Sequence, residues 1–260
     1  MKVLNNISFK APKLKQWVSI SIAISFLLSL MAFSGIKQQS KVVKEISVDI
    51  NTDDEIFFID ENTVLDLATL SERDPLVGRN THEVDLKEIE ARVKSNQFAH
   101  EVDAQKDTKG DLHIKVKQCK PIARIIFQNK QHYISDKGTL LPMSEKFTAK
   151  VPVLIGQGVY RLSSSDLSKD SLAAPYFELL TKLINDRFFN ALIHTIDINL
   201  NGDINLYPLV GKQVFLFGEP SEIEDKLLRI KIYYHKIAPS MGWNKYEFVN
   251  VKFKNQIIAE

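Results

Sequence analysis

Six histidines, one cysteine and two short glycine or serine runs are the residues here whose types could do chemistry. A metal site needs several His, Cys, Asp or Glu at short spacing. His82, His100, His113, His132, His194 and His235 are scattered, with no HxH or HExxH among them. Each is read as a surface or packing residue, His113 on the outward side of an alternating run. Gly156-Gln157-Gly158 has the spacing that opens a phosphate loop but lacks the lysine and the helix after it, so it is read as a turn. Ser163-Ser164-Ser165 has no base near it in sequence and no GxSxG occurs, so the triplet is read as a loop. Cys119 precedes Lys120-Pro121. A nucleophilic thiolate needs a positioned histidine that nothing here specifies, and a buried, idle thiol is expected. No catalytic, cofactor-binding or metal-binding set emerges.

The elements around these residues come from an ordinary globular composition: 260 residues, 44% hydrophobic and 25% charged. Wholesale disorder, collagen-like repeats and a many-span membrane protein are disfavoured. One cysteine excludes an internal disulfide and any multi-Cys metal site. A net charge of +2 is too balanced to suggest nucleic acid. It is unevenly spread: residues 1–16 carry Lys2, Lys10, Lys13 and Lys15 without an acid, leaving −2 on the remainder.

Between Lys15 and Lys37 runs one uncharged stretch, Trp17–Ile36. Twenty residues at a 1.5 Å rise span about 30 Å, the hydrocarbon thickness of a bilayer. A helix hides all backbone polar groups of such a segment. Trp17 suits the interface, and the basic, acid-free flank before it predicts a cytoplasmic N-terminus with residues 37–260 outside. The rival reading is a cleaved secretory signal with Ala32-Phe33-Ser34 as its cleavage site. The full length of the run favours the anchor. Either way the bulk lies outside the cytoplasm.

The chain beyond the anchor alternates and then coils. Ile46, Val48 and Ile50 alternate with polar residues as in a half-buried strand. Helical spacing follows at Asn62–Leu70, with a Ser71–His82 loop after it. Asp85 reads as an N-cap with Glu88 completing a capping box. Strands are expected at Phe98–Ala104 and across Leu112–Val116, giving the order β-α-α-β-β. Pro121 marks a boundary. Beyond it the pattern predicts strands at Ile122–Phe127, Gln131–Ser135 and Val151–Ile155, then a helix at Pro175–Leu192. Further strands fall at Thr195–Leu200, Asp203–Tyr207 and Gln213–Phe217, with Asn201-Gly202 as a hairpin turn. Ser221 caps another helix, Glu224 completing its box, and a closing strand covers Tyr246–Ile258. The last strand of a chain is frequently a sheet edge, whose unpaired N–H and C=O groups another chain can complete; an ordinary closing strand with a protected edge fits the pattern equally well.

Several stretches, in this order and spacing, resemble the bacterial cell-division family FtsQ (DivIB in Gram-positive species), particularly its Bacteroidetes form. Asp85-Leu86-Lys87-Glu88-Ile89-Glu90 with Asn96-Gln97-Phe98 is similar to the second helix of the family's POTRA domain and the strand after it. Leu112–Val116 followed by Lys120-Pro121-Ile122-Ala123-Arg124-Ile125 is similar to its junction, where Pro-Ile-Ala-Arg is typical. Tyr133–Pro142 resembles the next hairpin, Val151–Gly156 the strand after it, and Phe248–Phe253 with Gln256-Ile257-Ile258 the terminal strand.

The resemblance implies an α+β chain with one transmembrane helix, a POTRA-like domain and a mainly antiparallel β domain with helices. The bounds expected are 1–16 for a cytoplasmic tail, 17–36 for the anchor, 37–120 and 121–260 for the domains. It implies a non-enzymatic divisome scaffold at the septum, without cofactor, that gathers FtsB-like and FtsL-like proteins and helps control septal peptidoglycan synthesis. Carried onto this chain, strand addition would use Val249, Val251, Lys252 and Phe253, with Lys226 or Arg229 on the supporting helix meeting acidic partner residues. Where the family often has Asp-Leu-Arg-Tyr, this chain has Asn250-Val251-Lys252-Phe253, losing the bidentate arginine fork and the tyrosine hydroxyl. Two other classes compete: a cell-envelope enzyme such as a peptidoglycan hydrolase, and a POTRA-bearing transport component. The first lacks a catalytic set. The second usually repeats the module or precedes a barrel.

Overall fold

The computed structural model of the protein describes residues 17, 19–29, 41–51, 56–69, 75–163 and 166–260. Residues 17 and 19–29 are helical and exposed. Among the described residues no helix is long and apolar enough to cross a membrane. The tail expected at 1–16 and the part of the expected anchor at 18 and 30–36 lie outside the described residues, as do Leu70 of the expected Asn62–Leu70 helix, 71–74 of the expected Ser71–His82 loop, and Ser164-Ser165.

The first module has the expected order. Strand β1 (Ile46–Asn51), helices α1 (Glu61–Ala68) and α2 (Leu86–Lys94), and strands β2 (Ala99–Lys106) and β3 (Leu112–Gln118) follow one another. The sheet order is β1-β3-β2, with β1 parallel and β2 antiparallel to β3. Asp85 caps α2 as the sequence predicts, accepting from the N–H groups of Lys87 at 2.9 Å and Glu88 at 3.3 Å. Glu88 itself turns along the helix to Arg92, 3.1 Å away. Burial alternates perfectly along β3, because its Leu112, Ile114 and Val116 face the two helices while His113, Lys115 and Lys117 face water.

Only Cys119 and Lys120 separate β3 from β4 (Pro121–Phe127), and Pro121 opens that strand where a missing N–H is tolerated. Then come β5 (Lys130–Ser135), β6 (Leu140–Leu141), β7 (Val153–Ile155), helices α3 (Ala174–Asn185) and α4 (Arg187–Leu192), and β8 (Ile193–Ile198). Strands β9 (Ile204–Pro208) and β10 (Val214–Gly218), helices α5 (Ile223–Ile232) and α6 (Ala238–Met241), and strands β11 (Phe248–Asn250) and β12 (Ile258–Ala259) complete the chain. The nine strands form one sheet in the order β12-β11-β10-β9-β8-β7-β4-β5-β6. It is mainly antiparallel, as expected, with five antiparallel pairings, but three are parallel. β10–β11, β8–β7 and β7–β4 run parallel, with helices between the members of the first two pairs and with β5, β6 and the segment 142–152 between β4 and β7.

Two expectations need local correction. The helix at Pro175–Leu192 is broken at Asp186, whose extended backbone ends α3 while its side chain accepts from Phe188 N–H at 2.9 Å to start α4. Gly156-Gln157-Gly158 is no plain turn: it leads a 3₁₀ helix, Gln157–Leu162. A Cβ on Gly158 would lie 2.1 Å from the Asn199 carbonyl oxygen, so these glycines let the backbone press against the end of β8.

The two cores meet. Tyr133 and Leu141, from β5 and β6, are buried in the first module's core with Phe58 and Val116. The Phe58 ring stacks on Phe98, 4.6 Å between centroids, and lies 5.7 Å from Tyr133.

Candidate partner interface

The far end of the large sheet, β10 to β12 with α5 above it, holds every residue expected to contact a partner. Helix α5 sits on the sheet through Ile223, Leu227 and Ile230, spaced three and four apart and buried. Its expected capping box does not form. Glu222 is the N-cap, in the left-handed region at φ 47° and without a side-chain capping bond, and Glu224 pairs with Lys182 at 2.5 Å. The tertiary ion pair has taken the side chain that the local box needed.

Lys226 and Arg229, expected to be outward, are buried, with 4% and 6% of their surface exposed. The Lys226 ammonium donates to the Glu219 carbonyl at 2.7 Å and lies 5.0 Å from the Phe217 ring centre. Burial pushes its pKa down, because the charged form loses hydration. Arg229 is placed differently: its Nε and Nη2 have no hydrogen-bond partner. One turn further on, the Tyr233 hydroxyl is also buried and unpartnered, and burial raises its pKa.

After Ile232 the helix widens into a π turn, Tyr233–Ile237. The extra residue lets two consecutive tyrosines turn inward. Tyr234 Oη donates to the Val210 carbonyl at 2.8 Å and accepts from Gln213 Nε2 at 2.7 Å.

The closing strand is not one strand. β11 pairs in parallel with β10, flanked by Val214 N–H to the Glu247 carbonyl at 2.8 Å and Val251 N–H to the Leu216 carbonyl at 3.1 Å. The chain then leaves the sheet and turns back at Phe253–Gln256, where Asn255 adopts φ 59°. Asparagine tolerates that left-handed conformation better than most residues. β12 returns antiparallel to β11, placing Ala259 opposite Val249 and Ile258 opposite Asn250. The expected free edge along β11 is therefore covered by the chain's own end.

The four strand residues divide accordingly. Val249 and Val251 are fully buried, their side chains in the core. Lys252 is half-buried, its ammonium 2.8 Å from Asp203 Oδ2. Gly218, at φ +74°, makes room for it: a Cβ there would come within 2.9 Å of Lys252 Cγ. Phe253 is the one of the four that is exposed, at 52%. Phe248 and Ile258, not singled out from the sequence, are also exposed large side chains here. Alternation places Phe248 opposite Val249, but the packing of Lys252 on Asp203 joins residues far apart in the chain and has no sequence signal.

Burial raises the Cys119 thiol to about 11, which disarms it as a nucleophile. Among the described residues no group of three or more His, Cys, Asp or Glu is arranged to hold a metal ion.

Comparison with known families agrees with this architecture. A family model described as FtsQ/DivIB, C-terminal related, matches residues 120–260. A POTRA-like domain model matches residues 41–117. A search of curated proteins returned no match. The first of these matches runs from the lysine before β4 to Glu260, just after β12, over more than half of the chain, and the β-α-α-β-β module precedes it: the chain belongs to the FtsQ/DivIB family.

Proposed function

We propose that this protein is a non-enzymatic scaffold of the cell-division machinery that gathers FtsB-like and FtsL-like partners at the β11–β12 end of its sheet. Family membership supports a divisome-related role. In this reading one helix over 17–36 holds the chain in the inner membrane at the septum, N-terminus in the cytoplasm and bulk in the periplasm. The POTRA-like module, beside the membrane, docks other division proteins. Shared tethering raises the partners' effective concentration, so modest intrinsic affinity suffices to assemble the complex and to help control septal peptidoglycan synthesis.

One observation carries the proposed contact. The sheet ends in the two-residue β12, and on α5, over this end of the sheet, the buried Arg229 guanidinium keeps two nitrogens without an acceptor. Backbone pairing supplies affinity there, and a partner carboxylate reaching Arg229 supplies choice. Lys226, already bonded to Glu219, supports the helix instead.

Phe253→Ala tests this, since the ring is exposed and its loss leaves the core intact. Capture of an FtsB-like partner from the same genome by the full chain falls strongly. Unchanged capture removes Phe253 from the interface. Val251→Pro is unsuitable, because it also breaks the bond to Leu216. Cell-wall hydrolysis by the purified chain would favour the enzyme reading instead.

A further inference from the structure

Resting on that strand-addition reading, we infer that β12 is a self-supplied occupant of the β11 edge, and that a partner strand binds by exchanging with it. Three features of the chain end lead here.

The cover is slight. Phe248 N–H donates to the Glu260 carbonyl at 3.0 Å, Glu260 N–H returns to the Phe248 carbonyl at 2.9 Å, and Glu247 N–H donates to Glu260 at 2.6 Å. Ile257 and Ala259 are only partly buried against the core, and Ile258 is 38% exposed. Little apolar surface resists opening, so this segment lies at the low-stability end of the fold.

The cover is also separable. β12 hangs on the turn at Phe253–Gln256, while β11 is held from its other side by the bonds to Val214, Leu216 and the burial of Val249 and Val251. Release of β12 leaves β11 in the sheet with the N–H and C=O groups of Phe248 exposed. An incoming strand finds a formed template.

The cover does not complete its surroundings. With β12 in place, Arg229 Nε and Nη2 and the Tyr233 hydroxyl stay without partners. The Tyr233 ring lies 5.5 Å from that of Phe215, the β10 residue in register with Val249 of β11. An extended, acidic partner segment replaces the backbone bonds of β12 and adds an acceptor that β12 does not bring. The partner's differential affinity for the open form drives the exchange.

Exchange lowers apparent affinity by the fraction of molecules that are open. Ile258→Pro in the full chain prevents β12 from pairing and is expected to tighten binding of the FtsB-like partner at least about five-fold. Amide exchange at Glu247 and Phe248, read without partner, shows directly whether β12 has been released. Equal affinity in a variant whose amides exchange fast overturns the exchange model and leaves strand addition standing. Weaker binding also overturns it, making β12 part of the partner surface. No binding by either folded chain removes strand addition itself. If Ile258→Pro fails to melt cooperatively, deletion of residues 257–260 gives the same readouts.

Discussion

Lys252 Nζ lies 2.8 Å from Asp203 Oδ2, which ties the chain just after β11 to the residue before β9. Residue types alone suggest a lysine reaching outward. The structure gives it an internal partner and lays its stem over Gly218. Part of both side chains remains exposed, so the pair is worth little: a double-mutant cycle with Lys252→Met and Asp203→Asn should return a coupling of about 0.5–1 kcal/mol. A coupling near zero would return Lys252 to the pool of partner contacts.

Arg229→Met should separate stability from binding. Removing a buried guanidinium with unpartnered nitrogens relieves a desolvation cost of about 1–3 kcal/mol, so the denaturant midpoint rises. Capture of an acidic partner strand falls in the same variant. A lower midpoint would mean the guanidinium stabilises the free chain, contradicting its role as a donor held for a partner carboxylate.

Asp186 should set part of the acid limb of stability. Its Oδ2 is 2.5 Å from Lys231 Nζ, and its other oxygen caps α4. The Lys231 bond, followed by helix N–H groups, lowers its pKa against the opposing effect of burial. A carboxyl with a lowered folded pKa stabilises above its unfolded value near pH ~4, and that contribution disappears as pH falls through the folded value. Asp186→Asn should therefore flatten the loss of stability between about pH 5 and 3, measured by denaturant unfolding. At neutral pH, Asp186→Ala should cost about 1–2 kcal/mol, mostly through the lost cap.

Tyr133→Ala should loosen both domains together. The ring belongs to β5 yet is fully buried in the first module's core, and its hydroxyl accepts from Ala149 N–H at 3.2 Å. Truncation should cost about 3–5 kcal/mol. Amide protection should fall in β1 to β3 as well as in β5, within one cooperative transition. Loss confined to β4–β6 would show that the modules unfold independently.

Period-two alternation at Ile46–Ile50 and Leu112–Val116, the Asp85 cap and the Asn201-Gly202 hairpin were all readable from the chain, because each depends on neighbours within a few residues. The apolar stripe of α5 was readable for the same reason. What such spacing does not encode is which surface a residue finally meets. The box at Ser221 and Glu224 yielded to Lys182, forty-two positions away. Lys226 and Arg229 look like solvent charges on a helical wheel, and only the height of α5 over Phe217 and its neighbours turns them inward. Alternation through Phe248–Phe253 was visible, and so was the polar interruption at Lys254-Asn255-Gln256, but not that the chain would reverse there and lay its own last residues along β11. Local preference decides what an element is. Which edge it covers, and which charge it buries, is decided by contacts between segments far apart in the chain, where the gain from packing exceeds any preference of a few neighbouring residues.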